Sequence, residues 1–204
     1  MSALLDIIGS LLFGGTILMI ILTANEIAAE TQATHSGDML VQELLTNTAQ
    51  LVEGELRNMG FGVPEREQTI MRAEESRIHF LSDIDRNGVV DTVKYSVGDT
   101  TELADTQNEI DRLLKRQING EINMSVGAVT VFRLRYLTRE GAMLSTPVPL
   151  DRLAEIHMVE VSMEVQNPYA PCRDREMVGA GERTALYSSS LWQQTRLASQ
   201  NTRR

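Results

Sequence analysis

The chain has 204 residues, 42% of them hydrophobic, and a formal charge of -9 from 19 Lys and Arg against 28 Asp and Glu. That length suits one medium domain plus an anchor, and the acidic balance excludes a nucleic-acid binder unless a basic face is segregated. The sequence suggests none beyond Arg196, Arg203 and Arg204 in the tail. The only cysteine, Cys172, excludes an intramolecular disulfide; in Pro-Tyr-Ala-Pro-Cys-Arg it reads as an inert loop residue, since reactive thiols need a special environment.

Residues 3–24 read ALLDIIGSLLFGGTILMIILTA, with a single charge. At about 1.5 Å per residue such a run matches a hydrocarbon core of roughly 30 Å. A cleaved secretory signal would want a basic start, a shorter apolar centre and a small-residue cleavage site, yet no Lys or Arg precedes Arg57. The expectation is a retained anchor over 1–24, with an orientation that the positive-inside rule has almost no cations to decide. Asp6 interrupts the run, and a carboxylate inside a membrane helix invites explanation. Two readings stand: Asp6 sits at headgroup depth and complements the helix dipole, or it pairs with the free α-amino group of a neighbouring subunit.

Residues 25–60 continue as an amphipathic helical stem, with Leu40, Leu44, Leu45, Val52, Leu56 and Met59 recurring at helical spacings. Ser36-Gly37-Asp38 is expected to bend or break the rod. Gly60 falls where a left-handed C-cap belongs, and Pro64 blocks continuation.

Beyond Pro64 the period becomes alternating, and 61–192 reads as an antiparallel β-rich domain. Strands are expected over 77–81 and 89–97, joined by the polar run DIDRNGVVD with Asn87-Gly88 as its turn. Residues 109–118 are ambiguous between helix and strand; the Asn119-Gly120 pair that follows favours strand. Over 129–138 the residues Phe132, Leu134 and Tyr136 share a face, Arg139-Glu140-Gly141 is a turn, and over 156–165 Val159, Val161, Met163 and Val165 share another. Residues 168–182 read as loop and 183–192 as a last strand ending in Trp192, an edge anchor. The tail 193–204 is polar enough to fray.

The clearest chemical pattern is Asp83, Asp85, Asn87, Gly88 and Asp91, spaced as positions one, three, five, six and nine of a calcium loop, with the carbonyl of Val89 as a further donor. Position twelve, which needs a bidentate glutamate, is Lys94. A solvated hairpin tip accounts for the same residues without metal, so weak Ca²⁺ binding and a plain turn both remain open. Enzyme patterns are absent: His35, His79 and His157 lack ligand or triad partners at informative spacing, and there is no phosphate loop or zinc helix. No catalytic activity, nucleic acid or small-molecule substrate is expected.

The order of these pieces resembles the PilW-type minor pilins of type IV pili and the J-type pseudopilins of type II secretion. The resemblance runs through the apolar helix, LVEGELRNMGFGVP at 51–64, IHFLSDIDRNGVVDTVKYSV at 78–97, LLKRQINGE at 113–121, VTVFRLRYLTREG at 129–141 and IHMVEVSMEV at 156–165. The N-terminus departs from the family pattern, lacking a basic leader, a cleavage-site glycine and Phe-Thr-Leu-x-Glu. With Met1 removed, Asp6 would take the fifth position, where type IV pilins carry a glutamate that pairs with a neighbour's amine. The resemblance implies an α+β fold with a long N-terminal helix on an antiparallel sheet domain. It also implies a structural subunit that sits in the bacterial inner membrane, domain outwards, before joining other pilin-like subunits in a filament. The alternative is a membrane-anchored extracytoplasmic binding module or adhesin, its dependence on calcium left open by the loop.

Overall fold

The computed structural model describes residues 2–64, 67–103, 110–121, 124–167 and 190–198. Cys172 and the expected loop over 168–182 lie outside them. The first element is a single unbroken helix, α1 (Ser2–Arg57), of 56 residues. Its two halves have different surroundings. From Ile7 to Ile27 the large apolar side chains are 47% to 75% exposed, whereas Val41, Leu45, Ala49, Val52 and Leu56 are buried. The buried stripe repeats every three to four residues, as a helix lying on a core requires.

Two expectations for the stem are corrected here. Leu40 is 62% exposed and Val41 takes its place in the core, because one residue of helix rotates a side chain by about 100° off the stripe. Ser36-Gly37-Asp38 does not break the rod. Gly37 is buried in mid-helix, and a Cβ there would collide with the Asn167 side chain, whose Nδ2 donates to Thr34 O at 3.0 Å and Asp38 Oδ1 at 2.8 Å. The glycine makes room for a docked side chain.

The helix stops at Arg57, three residues before Gly60, which has a φ of 82° in the turn that follows. The next strands are β1 (Ile70–Ala73), β2 (Arg77–Ser82), β3 (Asp91–Val97), β4 (Arg112–Ile118) and β5 (Met124–Val129). They form one five-stranded antiparallel sheet in sequence order. The ambiguous segment 109–118 is therefore strand over Arg112–Ile118, with Asn119-Gly120 at its turn and both residues at positive φ. The strands β1 and β5 were not foreseen; each is short or glycine-containing, which weakens alternation as a signal.

The second sheet comprises β6 (Val131–Leu137), β7 (Met143–Leu144), β8 (Met158–Gln166) and β9 (Ser190–Ala198), in the order β7-β6-β8-β9. Phe132, Leu134 and Tyr136 face the core from β6, as do Val159, Val161, Met163 and Val165 from β8. The last strand is Ser190–Ala198, beyond the expected end at Trp192 and into the segment expected as a tail; residues 183–189 of the expected strand lie outside the described residues. Leu197, 2% exposed, anchors it, and pairing with all of β8 satisfies its backbone on that side. The two sheets and the second half of α1 share one core. The architecture is thus α+β.

Candidate functional site

Three features of the chain bear on function: the apolar half of α1, the acidic 83–91 loop and a buried polar cluster that joins helix to sheet. The first follows directly from composition. The helix is long and apolar enough to cross a membrane, and among the described residues the large apolar side chains of its first half stand exposed. Asp6 lies near its beginning, exposed; the chain's own amine lies outside the described residues.

The loop is built by local polar contacts. Asp83 Oδ1 accepts the Asn87 N–H at 3.1 Å and Oδ2 the Gly88 N–H at 3.0 Å. Asp85 Oδ1 also accepts the Asn87 N–H, at 3.1 Å, while Oδ2 accepts the Asn87 side-chain amide at 2.7 Å. Asp91 Oδ2 accepts the Ile84 N–H at 3.2 Å. The structure therefore brings Asp83, Asp85 and Asp91 together, with ligand atoms within 4.8 Å of one another. Asp83 and Asp91 are buried and Asp85 is exposed. Asn87 turns its Oδ1 to the Val89 N–H at 2.7 Å, and Val89 is 63% exposed at the tip.

The donor set suits a hard cation, since each carboxylate oxygen keeps a lone pair beyond the bonds just described. Lys94 does not complete it. In β3 the core-facing residues are Asp91, Val93 and Tyr95, so Lys94 lies on the other face. One participant was missed from the sequence: Asn119 donates Nδ2 to Asp91 Oδ1 at 2.7 Å and accepts the Thr92 N–H at 2.9 Å. Its signal was the second Asn-Gly pair, read only as a turn. The loop also leans on the helix end. Asp83 N–H bonds Phe61 O at 2.8 Å, the Arg86 guanidinium lies 5.8 Å from the Phe61 ring centre, and Gly62, at φ 76°, would place a Cβ 2.8 Å from Asp83 Cβ. Only glycine fits that approach in that conformation.

The third feature was also missed. Glu55, on the buried face of α1, receives the Tyr95 hydroxyl at 2.5 Å and Arg116 Nε at 3.0 Å on Oε2, while Arg116 Nη2 pairs with Oε1. Glu55 and Arg116 side chains are only 10% and 14% exposed. Burial, and then the Glu55 charge, push the Tyr95 hydroxyl well above the usual phenol range; the hydrogen bonds to Glu55 push Arg116 higher still. Such a triad joins α1, β3 and β4 with every charge matched. Its sequence signal was a glutamate inside an apolar helical stripe.

The histidines lie apart: His35 on α1, His79 on β2 and His157 before β8. Burial, then the charges of Lys94, Arg72 and Arg77, hold His79 below the ordinary imidazole range. Compared with known proteins, the chain matches no family model, no curated protein and no solved structure.

Proposed function

We propose that the chain is a structural subunit of a pilin-like filament, held in a bacterial inner membrane by 1–24 with its domain outwards and assembled through its N-terminal helix. One observation carries this reading. A single helix is bare and apolar over its first half and packed into a domain over its second. Each large apolar side chain gains about 1.5–3 kcal/mol on leaving water, so the bare half requires lipid or other helices around it. An unbroken rod holds domain and anchor in one rigid unit, which suits repeated packing of identical helices. The sequence resemblance to minor pilins and J-type pseudopilins supports the same reading.

Asp6 is proposed as the assembly residue, neutralising a neighbour's terminal amine inside the helix bundle, where an unpaired charge is costly. Electron microscopy of sheared surface filaments carrying labelled protein tests the proposal, and a strictly monomeric protein in membrane extracts would overturn it. Asp6→Ala is expected to abolish incorporation while leaving the domain folded; normal incorporation would remove the role.

The convergence of Asp83, Asp85 and Asp91 favours a second reading, a membrane-anchored, calcium-dependent binding module. It predicts a monomer whose ligand binding is lost on chelation.

A further inference from the structure

The sequence suggested no segregated basic face, yet the fold makes one. On the five-stranded sheet the residues between Ile78, Phe80, Val93, Tyr95 and Leu114 point away from the core. Register then sets Arg72 beside His79, His79 beside Lys94 and Lys94 beside Gln117 in one cross-strand row, and Arg77 beside Ser96 and Ser96 beside Lys115 in the next. The chain's two lysines, Lys94 and Lys115, both lie on this face. Glu74 serves Arg72 at 2.6 Å and Arg77 at 3.8 Å, and Glu102 serves Lys115 at 2.5 Å. Among the described residues no carboxylate pairs with Lys94. By this register Lys94 lies diagonally between Arg77 and Lys115 on the neighbouring strands, within reach of these long like-charged side chains, so an anionic partner would relieve this face.

The complementary surface is on the same molecule. Between Asp6 and Arg57 the helix carries Glu26, Glu30, Asp38, Glu43, Glu53 and Glu55 without one Lys or Arg. Glu53 and Glu55 are engaged locally, by Arg57 and Arg116. Glu26 and Glu43 stand exposed on the stem. A chain cannot fold its own sheet onto that stretch, because the basic face looks away from its own helix.

We propose that the lysine face of one copy docks on the acidic stem of a second copy; this rests on the filament reading above. Tyr95, next to Lys94, is bonded to Glu55, and Glu43 lies about 18 Å below Glu55 along the helix at ~1.5 Å per residue. Bringing Glu43 to Lys94 thus requires an axial stagger between copies. Two different patches meeting with a stagger make a heterologous contact, which propagates as an open array and does not close into a dimer. Exposed ion pairs contribute little affinity individually; here they set register and partner choice.

The test uses full-length protein, half of it ¹⁵N-labelled, mixed and assembled in detergent or bilayer at low ionic strength. A zero-length carbodiimide then joins amines to carboxylates in direct contact, and mass spectrometry reads the links. The intrachain Lys115–Glu102 link reports an intact fold. The expected result is a mixed-isotope link from Lys94 to Glu43 or Glu26, with assembly reduced about fivefold in Lys94→Glu, the effect of losing one pair worth about a kcal/mol, and restored when Glu43→Lys is added. Filaments that show only the Lys115–Glu102 link would overturn this docking and leave the filament reading standing. A monomer without interchain links would overturn both. Shielding of Lys94 from acylation by added anionic phospholipid vesicles, without interchain links, would assign the face to lipid and overturn the second-copy docking.

Discussion

Arg116→Met tests how the domain is held to its helix. The substitution keeps much of the side-chain volume but leaves the Glu55 carboxylate, about nine-tenths buried, with the Tyr95 hydroxyl alone. Stranding one member of a buried pair costs about 3–5 kcal/mol, and at roughly 2–4 °C per kcal/mol for a chain of this size the midpoint should fall by about 6–20 °C. Tyr95→Phe removes a single hydrogen bond to a charged acceptor and should cost less, about 1.5–3 kcal/mol. The double variant Glu55→Met with Arg116→Met removes both charges at little cost but leaves the buried Tyr95 hydroxyl without its acceptor, so it should recover part of the loss, about 1–3 kcal/mol. Thermal unfolding of the full chain in mild detergent, followed by near-UV circular dichroism, measures all three. A double variant no more stable than Arg116→Met would refute the reasoning, because the loss would then come from packing and not from an orphaned charge.

Tyr95 and Tyr136 are both buried with hydroxyl titration pushed far up, so their contribution to stability is complete below the ordinary phenol value near 10 and is lost as pH rises above it. Absorbance at 295 nm should show these two tyrosines silent until the domain unfolds at alkaline pH; smooth titration of all tyrosines near pH 10 would contradict this. Gly37→Ala should destabilise by about 1–3 kcal/mol through collision with Asn167, while Gly54→Ala, with open space at its Cβ, should stabilise by up to about 1 kcal/mol; equal midpoint shifts would remove the docking role of Gly37. If the 83–91 loop holds calcium at a dissociation constant of roughly 10⁻⁴–10⁻³ M, 10 mM calcium should add about 1–3 kcal/mol of thermal stability over chelator, abolished by Asp85→Ala. Identical midpoints would leave the loop an ordinary turn.

The apolar run, the change of period after Pro64, the strands carrying Phe80, Tyr95, Leu134 and Val161, and the acidic loop were all legible in the sequence. Each is a local pattern: a helix repeats every 3.6 residues, a strand every two, and Asn-Gly bends a chain wherever it falls. What escaped reading depends on segments far apart in the chain. Gly37 looked like a breaker because propensity knows nothing of Asn167, which the fold presses onto it from the end of β8. Glu55 looked like a flaw in an apolar stripe until β3 and β4 supplied Tyr95 and Arg116. Arg72, Arg77, Lys94 and Lys115 are scattered singly through an acidic sequence, and only strand register, which sets each outward residue beside another, gathers them into one face. Local chemistry determined the elements; the pairing of distant strands decided which charges meet, because Coulombic contact depends on separation in space and not along the chain.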